Sequence, residues 1–119
     1  MRSVCVVGLG YVGYPLAVLA REKGYAVRGL DPDKTKRDMI GEGADPLTGE
    51  DAGVTFPVAE DDGSFIRNAD VVIICVPTPV DKTKMPDLDA VTTASETVAE
   101  NLDPARKTLV IVESTINPG

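Results

Sequence analysis

Histidine is absent from the 119 residues. With it go the commonest metal ligand and the commonest general base. No metal site is expected. Long apolar runs are missing too, so nothing in the chain reads as a membrane span. The N-terminus lacks the charged, apolar and small-residue pattern of a secretion signal, and the expected location is the cytoplasm. Positive charge is in short supply. Twelve Lys and Arg face nineteen Asp and Glu, for a net charge of −7. That balance argues against a nucleic-acid partner, which needs a basic surface. Cysteine occurs only as Cys5 and Cys75, both inside apolar strand-like runs. They read as buried, reduced core residues, with a disulfide or a nucleophile as the lesser alternative. There is no internal repeat and no low-complexity segment.

What remains is enough for one domain with a core. The run 3–9 (SVCVVGL) is a short apolar strand ending in glycine. In 14–24, Leu16, Leu19 and Ala20 stand at helical spacing, with Pro15 at the first turn and Gly24 at the stop. A second strand is expected at 25–31 and a short helix in the charged stretch after it. The third strand, 54–59, contains Pro57, which cannot donate to a ladder and belongs at a sheet edge. A short helix, a strand at 70–76, a helix over 88–102 started by Asp87, and a fifth strand at 107–114 complete the pattern. Alternating strands and helices predict an α/β fold, a Rossmann-like doubly wound parallel sheet whose strand order begins 3-2-1-4-5. Pro57 then falls at one edge. The apolar fifth strand forms the other, an edge that calls for a further strand or another chain.

Gly8, Gly10 and Gly13 have the spacing G-x-G-x-x-G, between a strand and a helix. That context is what gives the pattern meaning. Gly8 makes the tight turn, Gly10 lets a pyrophosphate approach the backbone, and Gly13 lets the helix pack closely on the strand. The helix start supplies amide donors and partial positive charge. A glycine-rich turn with no ligand would show the same spacing. Asp31, 18 positions after Gly13 at the end of the second strand, is placed to accept from the adenosine ribose hydroxyls. Its charge would repel a 2′-phosphate, which favours NAD over NADP. Asp31 could instead simply open a turn with Pro32.

The stretches GLGYVGYPLA, VPTPVDKTKMPDLDAV and ESTINPG occur in this order along the chain. In them the sequence resembles the UDP-glucose/GDP-mannose dehydrogenase family, the nucleotide-sugar 6-dehydrogenases. The form of the second stretch is closer to the UDP-N-acetylhexosamine subgroup. The resemblance implies an NAD-binding domain over residues 1–119, incomplete, with the central and sugar-binding domains absent from the chain. It implies oxidation of the C6 alcohol of a nucleotide-linked sugar to a carboxylate with two NAD, in a homo-oligomer. By position it places Tyr11 and Val12 in the phosphate loop and Asp31 and Lys36 at the adenosine end. It places Thr78 along the cofactor groove and Thr115 beside both the cofactor and the reacting centre. Thr78 could equally be a turn residue between prolines, and Thr115 a helix cap.

The family chemistry also needs a cysteine nucleophile, which forms a thiohemiacetal and then a thioester, and a lysine, an asparagine and a glutamate. Their motifs would follow Gly119, and neither Cys5 nor Cys75 has the matching context. The chain is therefore expected to be a piece of such an enzyme and inactive alone. Two other readings share the fold: an NAD-dependent dehydrogenase of the 3-hydroxyacid type, and a non-catalytic nucleotide-sensing module.

Overall fold

Apolar residues run through the central strands without a polar face, so both sides must be covered. The computed structural model describes residues 2–75 and 89–113, at 89–91 the backbone alone. Strand β1 (Ser3–Val7) is followed by α1 (Gly13–Glu22), β2 (Ala26–Leu30) and α2 (Lys34–Gly41). Then come β3 (Val58–Ala59), α3 (Gly63–Arg67), β4 (Val71–Ile74), α4 (Asp89–Asn101) and β5 (Leu109–Val112). All pairings are parallel, in the order β3-β2-β1-β4-β5. The expected order is the observed one, with β3 at one edge and β5 at the other.

Successive strand side chains point to opposite faces. Val4 and Val6 of β1 join Leu9, Tyr14, Ala17, Val27, Ile40, Phe56 and Cys75 in one buried cluster, on the α1 and α2 side. Cys5 points the other way, into a second cluster with Leu30, Ile66, Ala69, Val72, Ile74, Ala94 and Val98, under α3 and α4. Truncating any of the large members to alanine would cost about 2–5 kcal/mol. Both cysteines are free and buried, as their setting in apolar runs implies.

Two details depart from the expected elements. The third strand is reduced to Val58–Ala59, because the residues before it serve other ends. Phe56 is buried in the first cluster, and the Pro57 carbonyl accepts from the Gly29 amide at 2.9 Å without any donation from Pro57 itself. Leu19 is exposed at 49% rather than in the core. The inward face of α1 is Gly13, Tyr14 and Ala17, two of them small, and this close approach turns Leu19 outward. The stop at Gly24 is as expected. Its φ of +93° lets its amide reach the Arg21 carbonyl and that of Tyr25 reach Ala20. Asp87, expected to start α4, lies outside the described residues.

The amino ends of the strands are clasped by Asp70. Its carboxylate accepts from the Ser3 amide at 2.9 Å and from Arg106 at 2.8 Å. The Ser3 bond, with help from Arg106, holds its carboxyl below the usual range. At the far edge, Leu109, Val110 and Val112 of β5 are exposed among the described residues.

Candidate functional site

The loop between β1 and α1 lies at the carboxyl end of the sheet, where open α/β folds bind ligands. Gly8 begins it with φ +94°, a conformation L side chains avoid, and its amide donates to the Leu30 carbonyl at 2.8 Å. Gly10 faces open space: a Cβ there would have no atom within 4 Å. Gly13 is the opposite case. A Cβ there would run into the carbonyl oxygen of Gly8 and stand 3.1 Å from the Cβ of Cys75. Gly8 thus makes the turn and Gly13 the close packing that their spacing assigns, and Gly10 leaves an open face on the loop.

Helices α2 and α3 are capped by aspartates. Asp33 accepts from the amides of Thr35 and Lys36, and Asp62 from that of Ser64. Helix α1 has no such cap. Val12 holds the position with no side-chain acceptor. Among the described residues, the amides of Tyr11, Val12 and Gly13 donate to no protein group. Tyr11 itself is 87% exposed, and Val12 packs against the first core cluster. An uncapped helix start behind an open glycine is a place for an anion.

Asp31 closes the other side. The residue is buried. Its Oδ2 accepts from the Leu9 amide at 2.8 Å and its Oδ1 from the Asp33 amide at 2.9 Å. Its backbone carbonyl accepts from Arg37 Nη1 at 2.9 Å, and Arg37 also reaches Glu60 at 3.9 Å. Lys36 Nζ stands 4.0 Å from Oδ2. Each carboxylate oxygen keeps a lone pair beyond its amide. The donor and acceptor set fits a dinucleotide: amides for a pyrophosphate, a carboxylate edge for ribose hydroxyls, and room at Gly10.

Gly8, Gly10, Tyr11, Val12, Gly13, Asp31 and Lys36 are therefore gathered at one end of β1 and β2. Thr78 and Thr115 lie outside the described residues. Leu9 and Arg37 were missed by the motif reading. Leu9 carried a signal, being large and apolar between two glycines. Burial pushes the Cys5 thiol up to about 12 and that of Cys75 to about 11, so both stay protonated at neutral pH. Neither is poised as a nucleophile. Among the described residues no group of His, Cys, Asp and Glu could hold a metal ion, and no helix is long and apolar enough to cross a membrane.

A doubly wound parallel sheet with this loop defines a dinucleotide-binding domain. Comparison with known proteins narrows the class. Residues 2–119 match the model of the UDP-glucose/GDP-mannose dehydrogenase family, NAD binding domain, and the chain belongs to that family. It is 38% identical over 121 residues to UDP-N-acetyl-D-glucosamine 6-dehydrogenase of Pseudomonas aeruginosa, covering 98% of this chain and 28% of that protein. It is 35% identical to UDP-N-acetyl-D-mannosamine dehydrogenase of Methanocaldococcus jannaschii, over 99% of this chain and 29% of the relative. A solved structure of GDP-mannose dehydrogenase from Pseudomonas aeruginosa, a ternary complex, superposes with a TM-score of 0.85 at 30% identity, covering all of this chain and 29% of that one. The chain thus spans less than a third of the length of these relatives.

Proposed function

We propose that this chain is the cofactor-holding part of a cytosolic nucleotide-sugar 6-dehydrogenase, which oxidises the C6 alcohol of a UDP-linked sugar to a carboxylate with two NAD. The observation that carries the reading is the uncapped start of α1 behind Gly10, next to a carboxylate at the end of β2. In this reading the amides of Tyr11, Val12 and Gly13 hold the pyrophosphate, and the spare lone pairs of Asp31 orient the adenosine ribose. Lys36 lies close enough to offset the charge there. Bound NAD supplies the hydride acceptor. Thr78 and Thr115 would line the nicotinamide half. The full enzyme is a homo-oligomer that takes a nucleotide sugar.

Preference for NAD over NADP follows from the surroundings of Asp31. A 2′-phosphate would meet its carboxylate, while the guanidinium of Arg37 is already turned to the Asp31 carbonyl and Glu60. Calorimetric titration is expected to show NAD binding the tighter of the two. Asp31→Ala should weaken NAD by about 1–3 kcal/mol, the value of hydrogen bonds to a charged group. The same change frees the amides of Leu9 and Asp33, so thermal melts must accompany the titration. NADP binding equal to or tighter than NAD in the unaltered protein would remove Asp31 from the ribose.

Activity gives a second test. Offered NAD and UDP-sugars, this 119-residue chain is expected to form no NADH. Its two thiols are buried and protonated, and it has no histidine to act as base. Turnover by the purified chain that survives Cys75→Ser would place the chemistry elsewhere.

A further inference from the structure

Leu9 sits between the turn glycine and the open glycine, yet its side chain is fully buried. It lies over Gly29 in the middle of β2. A Cβ on Gly29 would come within 2.8 Å of Leu9 Cδ1, 3.4 Å of Leu9 Cδ2 and 3.3 Å of Phe56 Cε2. The absence of a side chain at Gly29 is therefore what makes the socket for Leu9. The backbone of the same residue is tied to Asp31 through its amide, at 2.8 Å. One residue upstream, Gly8 is tied to Leu30. Leu9 is thus held from both sides, by apolar packing beneath and by a hydrogen bond at its amide. The next residue along is Gly10.

We propose that Leu9 is a positioning residue for the cofactor: seated in the Gly29 socket and tethered to Asp31, it sets the height of the Gly10–Val12 backbone against the pyrophosphate. The proposal rests on the NAD reading of the loop and adds to it the part that shapes the loop from below. A protein interior is close-packed, so pressure on Leu9 has few outlets. Phe56 Cε2 would stand 3.3 Å from a Cβ added at Gly29, so the methyl presses on both side chains, and in this proposal the relief passes through Leu9 to the adjoining loop. A change at Gly29, which the glycine spacing does not include, would then be read at the cofactor.

The test is a pair of variants titrated with NAD by calorimetry beside thermal melts. Gly29→Ala is expected to lose about tenfold in NAD affinity, the scale of one charge-assisted hydrogen bond made poorly. Adding Leu9→Val, whose side chain ends one carbon short, should bring the affinity back to within about threefold of the original, because residues in contact couple. Were Gly29→Ala not to fold, Leu9→Ala alone serves: it removes the anchor and should also weaken NAD. A Gly29→Ala protein that melts lower but binds NAD unchanged, or no recovery in the double variant, overturns the proposal. So does unchanged affinity in Leu9→Ala. An unaltered protein that does not bind NAD would overturn the cofactor reading itself, so the two failures are told apart.

Discussion

Gly10→Val is expected to fold like the parent and to lose NAD binding. The two halves of that result rest on one observation. Nothing lies within 4 Å of where the Cβ of residue 10 would be, and Gly10 is not among the glycines with positive φ. The folded chain therefore has space for a side chain and no backbone strain to resist it. Substitutions in open positions usually stay within about 0.5 kcal/mol, which is a shift of roughly 2 °C for a domain this size. The same open space is where the cofactor reading puts the pyrophosphate. A β-branched side chain there would hold phosphate away from the amides of Tyr11, Val12 and Gly13. Affinity should fall by at least about 100-fold, or more than about 2.7 kcal/mol. Circular dichroism and a thermal melt check the first half, and calorimetry the second. A folded Gly10→Val protein with the parent's affinity would mean that the loop does not hold phosphate.

Such a separation of folding from binding was partly legible in the sequence. The glycine spacing after an apolar strand named the loop, and in the fold Gly8 makes the turn, Gly10 faces open space and Gly13 packs against the backbone of Gly8. The alternation of strands and helices named the strand order, and Pro57 agreed with it, because a residue without an amide hydrogen belongs at a sheet edge. Other features were hidden because they depend on what lies opposite in space. The inward face of α1 is chosen by Gly13 and Ala17, which permit close contact, rather than by the largest apolar side chains, so spacing alone put Leu19 on the wrong side. The third strand looked longer because Thr55 and Phe56 have strand-forming side chains. Thr55 instead donates from its hydroxyl to the Ile40 carbonyl at 2.7 Å, and Phe56 is drawn into the core. The place of Asp31 after the second strand was legible, and the fold sets it beside the glycine loop. Its bond to the Leu9 amide spans 22 residues and has no local signature.

The sharpest contrast with Gly10 is three residues along. Gly13→Ala adds the smallest possible side chain at a position that has no room for it. The new methyl would collide with the backbone carbonyl of Gly8 and press on the Cβ of Cys75. Neither can step aside cheaply. Gly8 is held by the hydrogen bond its amide donates to the Leu30 carbonyl and by its left-handed turn, and Cys75 by the hydrogen bond its amide donates to the Val7 carbonyl at 2.7 Å. The remaining relief is to lift α1 off β1, which uncovers Tyr14 and Ala17 from the first core cluster. Overpacking of a core commonly costs about 1–3 kcal/mol, and a clash with fixed backbone belongs at or above the top of that range. A loss of about 3 kcal/mol lowers the melting temperature by on the order of 10 °C. Urea unfolding should give a lower midpoint with an unchanged slope, the mark of lost stability rather than an altered unfolded state. NAD affinity should fall as well, because the amides that face the cofactor move with the helix. Serine at residue 13 should be no better than alanine, since the obstruction is at the Cβ and not beyond it. A Gly13→Ala protein that melts with the parent would show that α1 and β1 can separate without cost. In that case close helix–strand packing would not be the reason for a glycine at this position.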